Sequence, residues 1–106
     1  MKKIKIGNLS DFPKGKMKAI AANGEEILVS NVNGKLHAIG NICTHEECEL
    51  HKGTLKGNIV TCPCHFSQFD VTSGAVVANP ATGESIEPEP MYEVKIGGND
   101  VFVILE

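Results

Sequence analysis

Short runs of alternating polar and apolar residues fill the N-terminal part of the chain. Alternation with a period of two is typical of β-strands that bury one face. Residues 3–6 and 35–39 alternate in this way, and residues 16–21 and 26–32 are predicted as two further strands. Asn23-Gly24 and Asn33-Gly34 separate successive runs, and Asn-Gly is a strong signal for a two-residue hairpin turn. The pattern predicts an antiparallel meander.

The C-terminal part predicts one more hairpin. Residues 92–96 and 101–105 are predicted as two strands that flank a turn at residues 97–100. Residues 41–81 are irregular and rich in Gly, Pro and Cys. We therefore expect one all-β domain, residues 1–106, with a lobe at about residues 41–81 inserted between strands. The residues expected in its core are Ile4, Ile6, Ile27, Val29, Ile39, Val101 and Val103.

Length and charge exclude several classes of protein. A chain of 106 residues with 42% hydrophobic content supports one compact domain with a modest core. The formal net charge of −3 gives no electrostatic reason to bind nucleic acid. The segment from Met1 never reaches an apolar stretch of secretory length, and no later run approaches about 18 apolar residues. We expect a cytoplasmic monomer without a membrane anchor.

Two short clusters, Cys43-Thr-His45 and Cys62-Pro-Cys-His65, carry the candidate chemistry. Each supplies one thiol and one imidazole. Two thiolates can hold one iron of a two-iron, two-sulfide core, and two neutral imidazoles can hold the other. The oxidised core is then formally neutral, so an added electron costs less than it would with four thiolates. The same donors also suit a tetrahedral zinc ion.

Further motifs follow in a fixed order. They are C-T-H-x-x-C at residues 43–48, C-P-C-H at 62–65, S-Q-F-D at 67–70, S-G at 73–74, N-P-A at 79–81, Y-E-V-K-I at 92–96 and V-F-V at 101–103. This order resembles the Rieske [2Fe-2S] proteins. The resemblance implies a Rieske-like antiparallel β-sandwich or barrel whose lobe binds a [2Fe-2S] cluster. It implies that Cys43 and Cys62 bind one iron and that His45 and His65 bind the other.

The resemblance also assigns roles close to the cluster. Ser67 stands where the family's serine hydroxyl donates to a bridging sulfide, which raises the reduction potential. Phe69 stands where high-potential respiratory members carry a tyrosine whose hydroxyl bonds a cysteine sulfur, and phenylalanine lacks that donor. Phe66 replaces the glycine usually found after this histidine, a change expected to shield the imidazole or reshape the rim.

Acidic residues near the first cluster act in the same direction as Phe69. Glu46, Glu47 and Glu49 surround His45 in the sequence, and negative charge near an incoming electron disfavours reduction. We therefore expect a reduction potential below that of the high-potential respiratory type.

The remaining cysteines, Cys48 and Cys64, do not fit the ligand set. In respiratory Rieske proteins the cysteines at the matching motif positions form a disulfide between the two ligand loops, whereas many soluble Rieske ferredoxins lack it. The resemblance to the respiratory pattern implies a Cys48–Cys64 disulfide, worth roughly 3 kcal/mol by the chain-entropy argument for a loop of this length. The alternative is two buried free thiols.

Two further histidines need an interpretation. His37 lies on an alternating run and is expected to be an ordinary surface or packing residue. His51 follows Cys48 at a ligand-like spacing, but choosing it would leave His45 unexplained. We therefore interpret His51 as a polar neighbour of the site, at a rim that faces a partner.

The function implied by the resemblance is a one-electron carrier that passes electrons from a reductase to an oxygenase or another redox acceptor. One alternative is an electron-transfer component of a respiratory-like chain. Another is a metal-binding redox sensor or a zinc-bound interaction module. An enzyme acting alone is not expected, because the proposed irons have no open coordination position and no separate pair of nucleophile and base is evident.

Overall fold

The computed structural model describes residues 1–45 and 47–105, and within them the chain forms ten β-strands and two 3-10 helices. The strands are β1 (Lys2–Asn8), β2 (Met17–Ala22), β3 (Glu25–Val32), β4 (Lys35–Gly40), β5 (Thr54–Lys56), β6 (Ile59–Thr61), β7 (Gln68–Asp70), β8 (Val76–Ala78), β9 (Met91–Gly97) and β10 (Asp100–Leu105). The helices are Leu9–Asp11 and Leu50–Lys52. Neither of these described helices has the length or apolar composition to cross a membrane. The strand content confirms the all-β prediction.

Six strands form one antiparallel sheet in the order β1-β10-β9-β4-β3-β2. The β2–β3 and β3–β4 hairpins turn at the two Asn-Gly pairs, as predicted. Asn23 and Asn33 adopt φ values of 52° and 53°, in the left-handed region that asparagine tolerates better than most residues. In the last hairpin β9 extends to Gly97 and β10 starts at Asp100. The turn is therefore shorter than predicted.

The last hairpin is joined to the meander through β9, which pairs with β4 at Ala38 and Ile39. On its other side β10 pairs with β1. The chain thus leaves this sheet after β4 and returns to it at the neighbouring strand. The intervening residues form an insertion between two adjacent strands of this sheet, which is called the base below.

Between β4 and β9 the chain forms a second antiparallel sheet in the order β5-β6-β7-β8. Each of these strands has three residues. Strands this short cannot display an alternating pattern, which is why the sequence marks the region only as irregular. The second sheet lies in the part of the chain where the inserted lobe is predicted.

Two hydrophobic cores lie on the two faces of β3. Ile27 and Val29 pack with Val101 and Val103 in the core of the large sheet. Leu28 points to the other face and belongs to the second core. The residues of that second core are Leu28, Ile39, Leu50, Val60, Phe69 and Val71, with the thiols of Cys43 and Cys62. Because the candidate ligands share a core with β3, the base fixes their position.

The predicted core residues are mostly correct. Ile27, Val29, Ile39, Val101 and Val103 are completely buried. The two residues predicted on β1, Ile4 and Ile6, are only partly buried, and they pack against the first core. Strand β1 is an edge of its sheet, which accounts for their exposure.

Candidate metal centre

The first pair of candidate ligands lies on the loop that follows β4. The Cys43 N–H donates to the Cys48 carbonyl at 2.8 Å, and the Leu50 N–H donates to the Asn41 carbonyl at 2.7 Å. Asn41 is completely buried, and its side-chain oxygen accepts the His51 N–H at 3.0 Å. The loop is therefore closed on itself, with the C-T-H motif held between its ends.

The second pair lies on the loop between β6 and β7. The Cys62 N–H donates to the Ser67 carbonyl at 2.8 Å, and the Phe66 N–H donates to the Cys62 carbonyl at 3.2 Å. Phe66 has a φ of 63°. These bonds close a tight turn that buries Cys62 and leaves Pro63 and Cys64 exposed.

Two thiols and two imidazoles meet between these loops. The ring centroids of His45 and His65 are 5.0 Å apart, and the ring planes are inclined by 71°. Cys43 and Cys62 are both buried, and neither is part of a disulfide. Burial raises the pKa of the Cys62 thiol, and the neighbouring Cys43 thiol raises it further. A metal that binds both sulfurs must displace these thiol protons.

A disulfide joins Cys48 to Cys64, whose Cα atoms are 6.5 Å apart. It ties the first ligand loop to the second. The Cys62 sulfur and the two bridged sulfurs all lie within 4.8 Å of one another. In this structure the two cysteines are therefore bridged, as the respiratory pattern implies, and they are separate from the four candidate ligands.

The surroundings of the thiols are a hydroxyl and an apolar ring. The Ser67 Oγ lies 3.3 Å from the Cys43 Sγ, and Ser67 is completely buried. Phe69 is also completely buried, as part of the second core. Ser67 is thus close enough to donate to sulfur, whereas Phe69 contributes no donor.

Glu84 is a site residue that the sequence reasoning missed. Its Oε1 lies 3.1 Å from the His45 Nε2. The His45 side chain is 7% exposed, whereas that of Glu84 is 62% exposed. The hydrogen bond from His45 lowers the pKa of Glu84. The charged carboxylate therefore accepts the Nε2 proton and leaves the His45 Nδ1 as the nitrogen available to a metal.

The acidic residues that are close to His45 in the sequence are expected to supply the negative charge beside it, but the structure gives this role to Glu84. Glu46 lies outside the described residues. Glu47 is exposed, and Glu49 pairs with Lys52 at 2.8 Å. The hydrogen bond from Lys52 lowers the pKa of Glu49. Among the described residues, the carboxylate that contacts His45 is that of Glu84, which is distant in sequence.

A segment before β9, residues 79–90, crosses both ligand loops and is called the strap below. The Ala81 N–H donates to the His65 carbonyl at 2.7 Å. The Thr44 hydroxyl donates to the Glu87 carbonyl at 2.6 Å. The Thr44 N–H donates to the carboxylate of Glu89 at 3.1 Å. The strap therefore holds the peptide between the two ligands of the first loop.

Glu89 is the buried acid of the strap, with 4% of its surface exposed. Burial raises the pKa of Glu89 to about 7, although the Thr44 N–H acts in the opposite direction. The carboxylate needs the absence of a side chain at Gly40, where a Cβ would lie 2.5 Å from the Glu89 Oε1. No motif indicates this residue in the sequence.

The other two histidines lie outside the ligand set. His37 is half-buried on β4, and burial lowers the pKa of its ring. The His51 Nδ1 lies 3.1 Å from the Asn41 Nδ2. His51 therefore stabilises the first loop through Asn41, as a polar neighbour of the site.

The donors fit a two-iron cluster with unlike irons. The thiols are buried and close to a hydroxyl, and the imidazoles lie together with one ring supported by a carboxylate. Two sulfur and two nitrogen donors also satisfy the ligand count of a zinc site. Geometry alone does not choose between these metals.

Comparison with known proteins makes that choice. The family model of the Rieske [2Fe-2S] domain matches residues 2–94. The ferredoxin component of the naphthalene 1,2-dioxygenase/salicylate 5-hydroxylase systems of Ralstonia sp is 34% identical over 98 residues, which cover 92% of this chain and 90% of that protein.

Two solved structures show the same fold. The ferredoxin of carbazole 1,9a-dioxygenase from Nocardioides aromaticivorans IC177 superimposes with a TM-score of 0.90 at 27% identity, covering 100% of both chains. A chain in the complex of reduced oxygenase and oxidized ferredoxin in carbazole 1,9a-dioxygenase superimposes with a TM-score of 0.86 at 27% identity, covering 95% of this chain and 91% of that one. The family match confirms the resemblance to the Rieske proteins, and the cofactor is a [2Fe-2S] cluster rather than zinc. The chain belongs to the Rieske [2Fe-2S] domain family.

Proposed function

We propose that the protein is a one-electron carrier that accepts an electron from a reductase and delivers it to an oxygenase. The observation that carries this function is the buried set of two thiols and two imidazoles in a chain related to dioxygenase ferredoxin components. A related ferredoxin has been captured in complex with its oxygenase. The protein is thus an electron-transfer component, not an enzyme.

For the cofactor we propose Cys43 and Cys62 as ligands of one iron, and His45 and His65 as ligands of the other. When bound, the [2Fe-2S] cluster supplies a centre that gains and loses one electron. The proposal for the imidazoles is supported by their close approach and by the Glu84 contact, which fixes the tautomer of His45. The proposal for the thiols is supported by their burial and by the disulfide, which joins the other two cysteines and leaves Cys43 and Cys62 as free thiols.

The surrounding residues adjust the potential in opposite directions. The Ser67 hydroxyl, at 3.3 Å from the Cys43 sulfur, can donate to it and stabilises added negative charge. Phe69 supplies no such donor, and the Glu84 carboxylate opposes reduction by its charge. We propose a reduction potential below that of the high-potential respiratory proteins.

One observation favours a second function, an electron-transfer component of a respiratory-like chain. The Cys48–Cys64 disulfide is the feature that the sequence shares with respiratory Rieske proteins. A high positive potential would support this second function, whereas a lower one would support the oxygenase system. Among the residues that the structure describes, no separate feature favours the sensor or interaction-module alternatives.

The test is made on protein purified without oxygen. We expect equal amounts of iron and acid-labile sulfide, a rhombic EPR signal after reduction with dithionite, and oxidation of the reduced protein by the oxygenase component of naphthalene or carbazole dioxygenase. Cys43→Ser and His45→Ala should each abolish the rhombic signal. Absence of sulfide, or a zinc content matching the protein, would contradict the proposed cofactor and function.

We also propose that the carrier works in the cytoplasm as a monomer. Cell fractionation and sedimentation of the cluster-loaded protein test these two points. Recovery with membranes, or a concentration-independent dimer, would contradict them.

A further inference from the structure

Phe66 combines an unusual backbone conformation with an unusual exposure. Three non-glycine residues of the described chain have positive φ, and the other two are the turn residues Asn23 and Asn33. Asparagine tolerates this region, whereas a bulky aromatic residue there is a true outlier. The φ of 63° at Phe66 lies in the region where glycine is preferred. The fold therefore does not favour phenylalanine at this position.

Packing in a hydrophobic core does not explain the presence of phenylalanine at position 66 either. Phe12 and Phe69 are buried, whereas Phe66 is 63% exposed. The residue follows His65 directly, and its N–H donates to the Cys62 carbonyl. A large apolar group thus projects into solvent beside one candidate ligand from each iron. Strain at such a position is typical of functional surfaces.

A shallow cavity lies beside this ring. It has a volume of about 260 Å³ and is lined by Lys52, Gly53, Thr54, Thr61, Cys62, Pro63 and Phe66. Its floor includes the buried Cys62. A partner group that packs on Phe66 and fills this cavity would contact the loop that holds two of the proposed ligands.

The charges nearby indicate what kind of surface fits. Glu84 is 62% exposed while it contacts His45. Glu47 and Glu87 are exposed as well. The Lys52 ammonium at the cavity is paired with Glu49. The side of the site near His45 is therefore acidic, and it complements a partner surface that carries Lys or Arg side chains.

We infer that Phe66 is an anchor for the electron acceptor, an oxygenase that presents an apolar socket with basic residues at its edge. This inference rests on the proposed function, and the captured oxygenase complex of a related ferredoxin favours the acceptor as the occupant. Aromatic side chains that become buried on binding commonly dominate the affinity of an interface. Glycine would relieve the strained backbone at this position, but it would remove the ring. We infer that the strain is tolerated because the Phe66 ring is needed for docking.

The experiment compares Phe66→Gly, Phe66→Ala and Phe66→Leu with Ile96→Ala, which removes from β9 an apolar side chain that is 52% exposed. Each cluster-loaded, reduced variant is mixed in a stopped-flow instrument with the oxygenase component of naphthalene or carbazole dioxygenase, and separately with ferricyanide. Phe66→Gly and Phe66→Ala should slow electron transfer to the oxygenase by about tenfold or more. Phe66→Leu should restore part of the rate. Ile96→Ala should match the wild type.

Ferricyanide needs no docked complex, so dividing the oxygenase rate by the ferricyanide rate corrects for any change in access to the cluster, and this ratio should fall in Phe66→Gly and Phe66→Ala. Thermal midpoints report the strain, and Phe66→Gly should melt about 4 °C or more above Phe66→Ala, because only glycine relieves the left-handed backbone. An unchanged oxygenase rate in Phe66→Gly would overturn the anchor and leave the proposed function standing. Slower reduction by a reductase instead, or a dimer that Phe66→Gly dissociates, would also overturn it. A wild-type protein that reduces neither oxygenase would refute the proposed function itself.

Discussion

Replacement of Glu89 by glutamine should stabilise the protein at alkaline pH. Glu89 is 4% exposed, and burial raises its pKa from 4.5 to about 7. Folding therefore favours the neutral acid. Well below pH 4.5 the residue is neutral in both the folded and the unfolded chain and imposes no penalty. As the pH rises towards 7, the unfolded chain ionises first and the folded state loses stability.

The magnitude follows from the size of this displacement. Each pKa unit corresponds to about 1.4 kcal/mol, so above pH 7 the wild-type protein is destabilised by about 3 kcal/mol through Glu89 alone. At pH 5.5 the same linkage gives about 1.4 kcal/mol. Glutamine stays neutral throughout, and its side-chain oxygen can still accept the Thr44 N–H. The advantage of Glu89→Gln over the wild type should therefore grow by about 2 kcal/mol between pH 5.5 and pH 8.

The assay is the thermal midpoint of the cluster-loaded proteins at matched scan rates over this pH range. A domain of this size shifts its midpoint by about 4 to 8 °C per kcal/mol, so the gap should widen by about 8 °C or more. Any constant cost of burying the amide cancels in the comparison. Glu87→Gln, at an exposed position of the same strap, is the control and should give no widening. Parallel curves for Glu89→Gln and the wild type would refute the reasoning.

Three further predictions concern the thiols and their neighbours. Ser67→Ala should lower the reduction potential by about 60 mV, the equivalent of one hydrogen bond to the Cys43 sulfur, and an unchanged voltammogram would show that the hydroxyl does not donate. Phe69→Tyr should raise the potential by a similar amount, and no shift would mean that the buried hydroxyl cannot reach sulfur. The free energy of unfolding of the double variant Cys48→Ser, Cys64→Ser should be roughly 3 kcal/mol lower than that of the wild type with its disulfide intact. Calorimetry that finds equal stability would contradict the structural role of the disulfide.

The features predicted correctly from the sequence are those set by short spacings. The Asn-Gly turns define their hairpins locally, and Ile27 and Val29 lie two residues apart on one face of the strand between those turns. The two Cys-His motifs are compact, and the resemblance that they carry is confirmed by the family match. By contrast, the strands β5 to β8 are three residues long and leave no periodic signal, so the lobe is predicted as irregular chain although it contains a sheet.

The missed residues of the site are distant in sequence. Glu84 is 39 residues from His45, and Glu89 is 45 residues from Thr44. Both lie on the strap, which also contains Glu87 and three prolines, and they form no motif. Sequence proximity favours Glu46, Glu47 and Glu49 as the negative neighbours of His45. Loop folding instead pairs Glu49 with Lys52 and brings Glu84 to the ring.

The two halves of the site are adjusted by different kinds of interaction. On the sulfur side, Ser67 is completely buried, so its effect on Cys43 is a short-range hydrogen bond that dissolved ions do not screen. On the imidazole side, Glu84 is mostly exposed. Its carboxylate, which contacts His45, therefore lies where counter-ions and a docked protein can reach it. A partner that approaches with basic residues would neutralise Glu84 and remove its opposition to the electron. The buried half therefore sets a constant baseline for the potential, and the exposed half makes the potential respond to docking.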